Sequence, residues 1–164
     1  MLNKEVADLL RAQINKEFFS AYLYLDISNY YYDKSLNGFG NWFKIQAKEE
    51  QDHAMLILEY LQDNGEAVKL QAIDAPNTSF ADFRAPLAAA LEHEQFITAS
   101  IHTIYAEALK ANDFRTRQFL DWFVKEQGEE EKNSNDLLGR FDLFGNDAKG
   151  LYALDSELAG RKED

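Results

Sequence analysis

Cysteine is missing from this 164-residue chain, and helix breakers are scarce, with two prolines and eight glycines. Without cysteine, disulfides, zinc ribbons, iron–sulfur clusters and thiolate nucleophiles are excluded, and a reducing cytosol is the expected compartment. No apolar run approaches the roughly 20 residues that cross a bilayer, and no basic segment followed by an apolar one opens the chain. A cytoplasmic protein with no membrane partner is therefore expected. Basic residues are also in deficit, 17 against 29 acids, for a formal charge of -12. That charge repels phosphate backbones and attracts cations, so nucleic acid is not an expected partner. What is present is a 46% hydrophobic composition, enough at this length for one domain over residues 1–164 with a real core.

The apolar residues recur at intervals of three and four, which predicts an all-α fold. A first helix is expected from about Lys4, behind an Asn3 cap, to Tyr32, then a turn over Asp33 to Asn37. A second fits Gly38 to about Asn64, stopped by Gly65. The stretch from 66 to 84 is too long for a hairpin loop and carries the turn signal Asp74-Ala75-Pro76-Asn77. A third helix is expected from about Ala85, with Pro86 suited to a first helical position, to about Ala111. Asn112 and Asp113 then cap a fourth that reaches about Phe141. A short fifth follows Gly145 and Asp147, with Leu151, Leu154 and Leu158 on one face. Four long helices make a bundle. A dozen extended residues of the 66–84 segment span about 40 Å, the length of a helix of about 27 residues. The second and third helices can thus run parallel, joined by a long crossover.

At 100° per residue, each apolar stripe contains a glutamate. Glu17 lies among Leu10, Ile14 and Ala21, with Tyr24 close in phase. Glu50 lies among Phe39, Phe43, Ile57 and Leu61, with His53 one turn along. Glu94 is bracketed by Leu87, Ile101 and Tyr105. Glu130 is bracketed by Phe119, Phe123, Leu137 and Phe141, with Gln127 one turn earlier. Buried carboxylates cost several kcal/mol each and repel one another. No Lys or Arg shares these stripes beside the glutamates, so divalent cations are the expected counter-charge. A pair of them would suit the Glu50-x-x-His53 unit, which sets a carboxylate and an imidazole on one helix face. These donors suit Fe, Mn or Zn.

On these residues the chain resembles a bacterial non-haem ferritin over essentially its whole length. The resemblance implies a ferritin-like four-helix bundle with a long crossover between helices 2 and 3 and a short fifth helix. It implies a ferroxidase centre in which one iron takes Glu17, Glu50 and His53, and the other takes Glu50, Glu94 and Glu130. Glu50 would bridge, Gln127 would lie close by, and Tyr24 would stand next to the pair. It marks Glu49, Glu126 and Glu129 as a third iron site. It implies iron storage, with Fe(II) oxidised by O2 or H2O2 and deposited as a ferric oxyhydroxide mineral inside a homo-oligomeric shell of 24 subunits. Haem is not implied, because Gln51 stands where bacterioferritin has its haem methionine. The second Glu-x-x-His unit of bacterioferritin and the di-iron oxygenases is also absent, Gln127 to Glu130 standing in its place. A module holding structural Zn or Mn, and a peroxide-consuming di-iron protein that stores little iron, are the alternatives.

His93 and His102, nine residues apart, are expected on opposite sides of the third helix and at the surface. Tyr30, Tyr31 and Tyr32, near Trp42 and Phe43, are expected in core and subunit contacts. Within the run Glu129 to Glu131, the helical phase puts Glu130 inward and Glu131 in solvent. Gly128, inside the fourth helix, costs about 1 kcal/mol relative to alanine without an evident return.

Overall fold

The computed structural model describes residues 2–76 and 78–164, so Asn77 of the expected turn lies outside the described residues. Among the described residues there are five α-helices and no strand: α1 Lys4–Asp33, α2 Asn37–Asp63, α3 Ala85–Lys110, α4 Phe114–Phe144 and α5 Ala148–Leu158. None is long and apolar enough to cross a membrane.

The caps explain the boundaries. Asn3 Oδ1 accepts from the backbone of Glu5 and Val6, and Asp113 Oδ1 accepts from Thr116 N–H at 3.0 Å, each satisfying first-turn donors. Gly65 takes φ +72° after α2, the left-handed turn that glycine makes without strain. α4 extends three residues past the expected end at Phe141. The apolar stripe ends there, but the exposed Leu143 and Phe144 still propagate the helix until Gly145 N–H closes on Phe141 O at 2.7 Å.

The crossover runs along α1. Arg11 Nε donates to Ala67 O, Asn15 to Ala72 O, Thr78 to Asp26, and Tyr31 Oη to Phe83 O. As the strap advances from 67 to 83, its partners climb α1 from its start to its end. The crossover thus carries the chain back along the bundle, so α2 and α3 are parallel and both antiparallel to α1.

The core divides into two apolar clusters. One gathers Leu23, Tyr24, Phe39, Phe43, Leu87, Leu137 and Phe141. The other gathers Leu10, Ile14, Ile57, Ile97, Leu120 and Phe123. Glu17, Glu50, Glu94 and Glu130 fall in sequence between members of the two clusters and are all buried. The bundle is therefore an apolar, polar, apolar stack along its axis.

α5 seats its Leu154 and Leu158 in the first cluster beside Phe39 and Phe141. Its approach to the start of α2 needs Gly38, where a Cβ would lie 1.7 Å from Asp155 O. Asp155 Oδ1 in turn accepts from Phe39 N–H at 3.0 Å, supplying the cap that Leu36 cannot. Gly38→Ala is expected to destabilise the protein by about 2 kcal/mol, the scale of an overpacked contact, seen as a lower melting temperature of the metal-free protein. An unchanged melt would show that α5 is not fixed at this contact. Gly128 has open space around a would-be Cβ, and nothing in the structure explains the glycine.

Candidate metal centre

The glutamates of the middle layer meet because each sits on the inward stripe of its helix at a similar height. Ligand atoms of Glu17, Glu50 and His53 lie within 4.8 Å of one another, and so do those of Glu50, Glu94 and Glu130. The two sets share Glu50. His53 Nδ1 lies 3.2 Å from Glu50 Oε2 and 4.0 Å from Glu17 Oε2. The imidazole is fixed against Trp122 and Phe123, both edge to face with it.

Neutral donors orient the acids. Tyr24 Oη donates a short hydrogen bond to Glu94 Oε1, while Gln127 Nε2 donates to Glu94 Oε2 at 3.0 Å. Gln46 Nε2 donates to Glu130 Oε2 at 2.7 Å and to Glu50 Oε1 at 3.2 Å. Gln13 Nε2 donates to Glu17 Oε1 at 2.8 Å, and Ser100 Oγ holds Gln13 from behind at 2.6 Å. Among the described residues Glu17 Oε2 finds no hydrogen-bond partner although it is buried. A buried carboxylate oxygen beside an imidazole and a second carboxylate, left without a donor, is placed where it could serve as a ligand for a cation. Gln13 and Gln46 were not among the expected site residues. Each precedes its glutamate by four residues, so the i, i+4 spacing on a buried stripe was the signal that could have found them.

Electrostatics agree with this arrangement. Burial raises the Glu17 carboxyl above its ordinary value, opposed by the nearby His53. Burial raises Glu50 well above the carboxylate range, reinforced by Glu94, Glu17 and Glu130. Glu130 is raised in the same way by burial and then by Glu94. Glu94 is pushed up to about 7 by burial, restrained by the hydrogen bonds from Tyr24 and Gln127. Without a cation Glu50, Glu94 and Glu130 hold their protons to higher pH than an ordinary glutamate, so a cation bound there would have to displace protons.

The three residues marked for a third site are not treated alike. Glu126 Oε1 lies 4.0 Å from His53 Nε2, and Glu126, His53 and Glu130 form a further set of ligand atoms within 4.8 Å. Glu49 and Glu126 line one cavity of about 350 Å³, together with His53, Asp52, Glu163 and Asp164. Glu49 is already paired with Arg161, its Oε2 accepting from Nη2 at 2.9 Å. Glu129 does not line that cavity. Its carboxylate is 58% exposed and faces Lys125 at 3.8 Å. Within the acidic run, Glu130 does point inward, but Glu129 is exposed and Glu131 half-buried, the reverse of the expected order for those two.

His93 also departs from expectation. It is half-buried rather than at the surface, with Nε2 2.7 Å from Ser20 Oγ and its ring against Phe19, Tyr24 and Phe96. Its position in the seam between α1 and α3 covers it, and burial lowers it to about 4, so it is neutral at pH 7. His102 is exposed. Of the tyrosine run, Tyr31 is core, Tyr30 packs at its edge and Tyr32 is exposed.

A family model for the ferritin-like domain matches residues 7–144. The chain is 41% identical over 158 residues to the bacterial non-heme ferritin of Campylobacter jejuni, covering 96% of this chain and 95% of that one. It is 37% identical over 164 residues to that of Staphylococcus saprophyticus, covering 100% and 98%. Among solved structures, an engineered closed form of the Archaeoglobus fulgidus ferritin superposes with a TM-score of 0.97 at 36% identity, with both chains fully covered. The open-pore ferritin of the same archaeon gives 0.96 at 37% identity over 98% of each chain. With four helices delivering a carboxylate apiece to one layer, the chain belongs to the ferritin family, alongside the bacterial non-haem ferritins.

Proposed function

We propose that this chain is a ferroxidase and iron store that binds two Fe(II) ions in the glutamate layer and oxidises them to Fe(III). The observation that carries the reading is the pair of three-residue sets sharing Glu50. A shared carboxylate can bridge two ions, holding them close enough for two one-electron losses to serve one acceptor. Family membership supports iron as the metal, although oxygen donors with one imidazole also accept Mn or Zn.

In this reading Glu17, Glu50 and His53 hold the first ion, and Glu50, Glu94 and Glu130 the second. Each Fe(II) loses one electron, and the two electrons with two protons reduce O2 to hydrogen peroxide or H2O2 to two waters. Tyr24 and Gln127 fix the Glu94 carboxylate from opposite sides, and Gln13 leaves one Glu17 oxygen free to bind. Gln127 is a neutral group where a second histidine would bind more firmly, which favours departure of the oxidised iron toward storage. Glu49 and Glu126 serve a flanking third ion, with Glu129 at the outer edge of that site. The mineral is ferric oxyhydroxide, and its container is a cytoplasmic homo-oligomeric shell of 24 subunits, by analogy with the family.

Anaerobic loading with two Fe(II) per subunit, followed by an oxygen pulse, tests the chemistry. A transient visible band giving way to mineral absorbance is expected. A spectroscopically silent mixture would leave a module that merely holds divalent cations. Size-exclusion chromatography tests the container, with a particle near 450 kDa expected from 24 chains of 18.9 kDa. Elution as a monomer or dimer would rule out bulk storage in a closed shell.

A further inference from the structure

Two of the residues that follow Ala159 and Gly160, Arg161 and Glu163, are held by polar contacts that the apolar core does not require. Arg161 Nη1 donates to Trp42 O at 3.0 Å, and Nη2 donates to Gln46 Oε1 at 3.0 Å and to Glu49 Oε2 at 2.9 Å. The guanidinium lies 4.2 Å over the Trp42 ring. Trp42, Gln46 and Glu49 are spaced at i, i+4 and i+7, one stripe of α2, and a planar fork reaches two adjacent acceptors on it as an ammonium could not. The tail is tied twice more. Asn41 Nδ2 donates to Arg161 O at 3.1 Å, and Lys48 pairs with Glu163 at 2.5 Å.

This places a fixed cation beside an acidic cavity. Glu49 and Glu126 line that cavity with His53, whose Nδ1 faces the shared Glu50 and whose Nε2 faces Glu126. Among the described residues Glu126 has no salt bridge to Lys or Arg, whereas Glu49 carries the guanidinium. The same guanidinium touches Gln46, the donor to Glu50 and Glu130. The tail therefore contacts both the flanking cavity and the layer that binds the pair.

We propose that Arg161 is a built-in competitor for the flanking cation: it occupies Glu49 in the metal-free chain, and a third ion gains Glu49 as a ligand only by displacing the guanidinium. This rests on the reading of Glu49 and Glu126 as the flanking site. A C-terminal tail that competes in this way sets how tightly the third ion is held relative to the first two. Arg161 is a positioning residue here, acting through Glu49 and Gln46 and not on the iron itself. Both members of the ion pair are only partly buried, with side chains 20% and 28% exposed, so the competition is of modest strength.

Anaerobic calorimetric titration of the assembled, metal-free protein with Fe(II) reads the third equivalent per subunit directly. Arg161→Ala is expected to tighten that step by about fivefold, the equivalent of losing one partly exposed ion pair as a competitor. Arg161→Met should show the same gain, since it removes the guanidinium charge and keeps the tail, whose Glu163 and Asp164 line the same cavity. Glu49→Gln should weaken the third step, and in that background Arg161→Ala should change nothing. A third step of equal strength with and without Arg161 overturns the competition while leaving the flanking site standing. A gain that persists without Glu49 overturns it too, by showing that Arg161 acts elsewhere. No third step in either protein overturns the flanking site and the competitor together.

Discussion

Glu50→Ala is expected to lower the initial rate of Fe(II) oxidation, measured at two irons per subunit, by about 100-fold or more, and by more than Glu17→Ala does. Even residues behind metal ligands commonly matter by 10- to 100-fold, and Glu50 is the carboxylate common to both sets of ligand atoms. Its loss removes the bridge and leaves each ion one donor short. Glu17 belongs to one set only, so its loss leaves the second ion's donors in place. Stopped-flow absorbance after mixing Fe(II)-loaded protein with oxygenated buffer provides the rates. Equal losses in the two variants, or a larger loss from Glu17→Ala, would show that the bridge is misassigned. The two metal-free proteins should remain folded, because deleting one of four buried, mutually repelling acids relieves like-charge repulsion as it opens a small cavity.

The second large effect is on stability and its dependence on pH. Glu17, Glu50, Glu94 and Glu130 all have folded-state values raised above the 4.5 of an ordinary glutamate, chiefly by burial. For a raised acid the folded protein binds more protons than the unfolded chain between the two values. The favourable contribution is then present below about 4.5 and disappears as pH rises through the folded-state value. For Glu94, raised from 4.5 to about 7, the loss across that window is on the order of 3 kcal/mol. The metal-free protein is therefore expected to melt at progressively lower temperature from pH 5 to pH 8. Glu94→Gln should flatten that slope, since an amide does not titrate. A divalent cation such as Zn(II) should restore the melting temperature most strongly at the high-pH end, where fewer protons compete for the carboxylates and Glu94, at about 7, has largely lost its own. A metal-free melting temperature that rises with pH, or a slope that Glu94→Gln leaves unchanged, would mean that the layer is not strained by its own charge. Asp8 and Asp142 shift in the opposite sense, lowered by Lys4 and Arg84 respectively. They are exposed and act below the usual aspartate range, outside this window.

How much of this was legible in the sequence follows from the reach of each physical cause. Helical phase is local: 100° per residue puts Glu17, Glu50, Glu94 and Glu130 on apolar stripes whatever the helices later pack against. The scarcity of breakers, the Asn3 and Asp113 caps and Gly65 set the helix boundaries through interactions that span a few residues. The strap over 66 to 84 had only to be long enough to make α2 and α3 parallel. Four acids on apolar stripes without a basic partner then pointed to cations, because their mutual repulsion does not depend on the details of packing.

Packing between distant elements decided the rest. His93 is covered only because α3 lies against Phe19 and Ser20 of α1, a contact that its own helix cannot announce. The order of exposure from Glu129 to Glu131 is inverted relative to the phase of α4 alone, Glu129 being exposed and Glu131 half-buried. The sequence alone treated Glu49, Glu126 and Glu129 as equivalent flanking acids. Only the fold separates Glu126 beside His53 from Glu49 under Arg161, whereas Glu129 beside Lys125 is an i, i+4 pair on its own helix. Arg161 lies 112 residues from Glu49 and beyond the last helix, where periodicity carries no information. Its position follows from the close approach at Gly38 that lets α5 dock on α2 and bring the tail across it. The sequence by itself thus determined the fold class and the acids that could hold a cation, because both arise from spacing along single helices. The tertiary structure alone decided which of those acids already carries a partner, because a charge is neutralised in space and not along the chain.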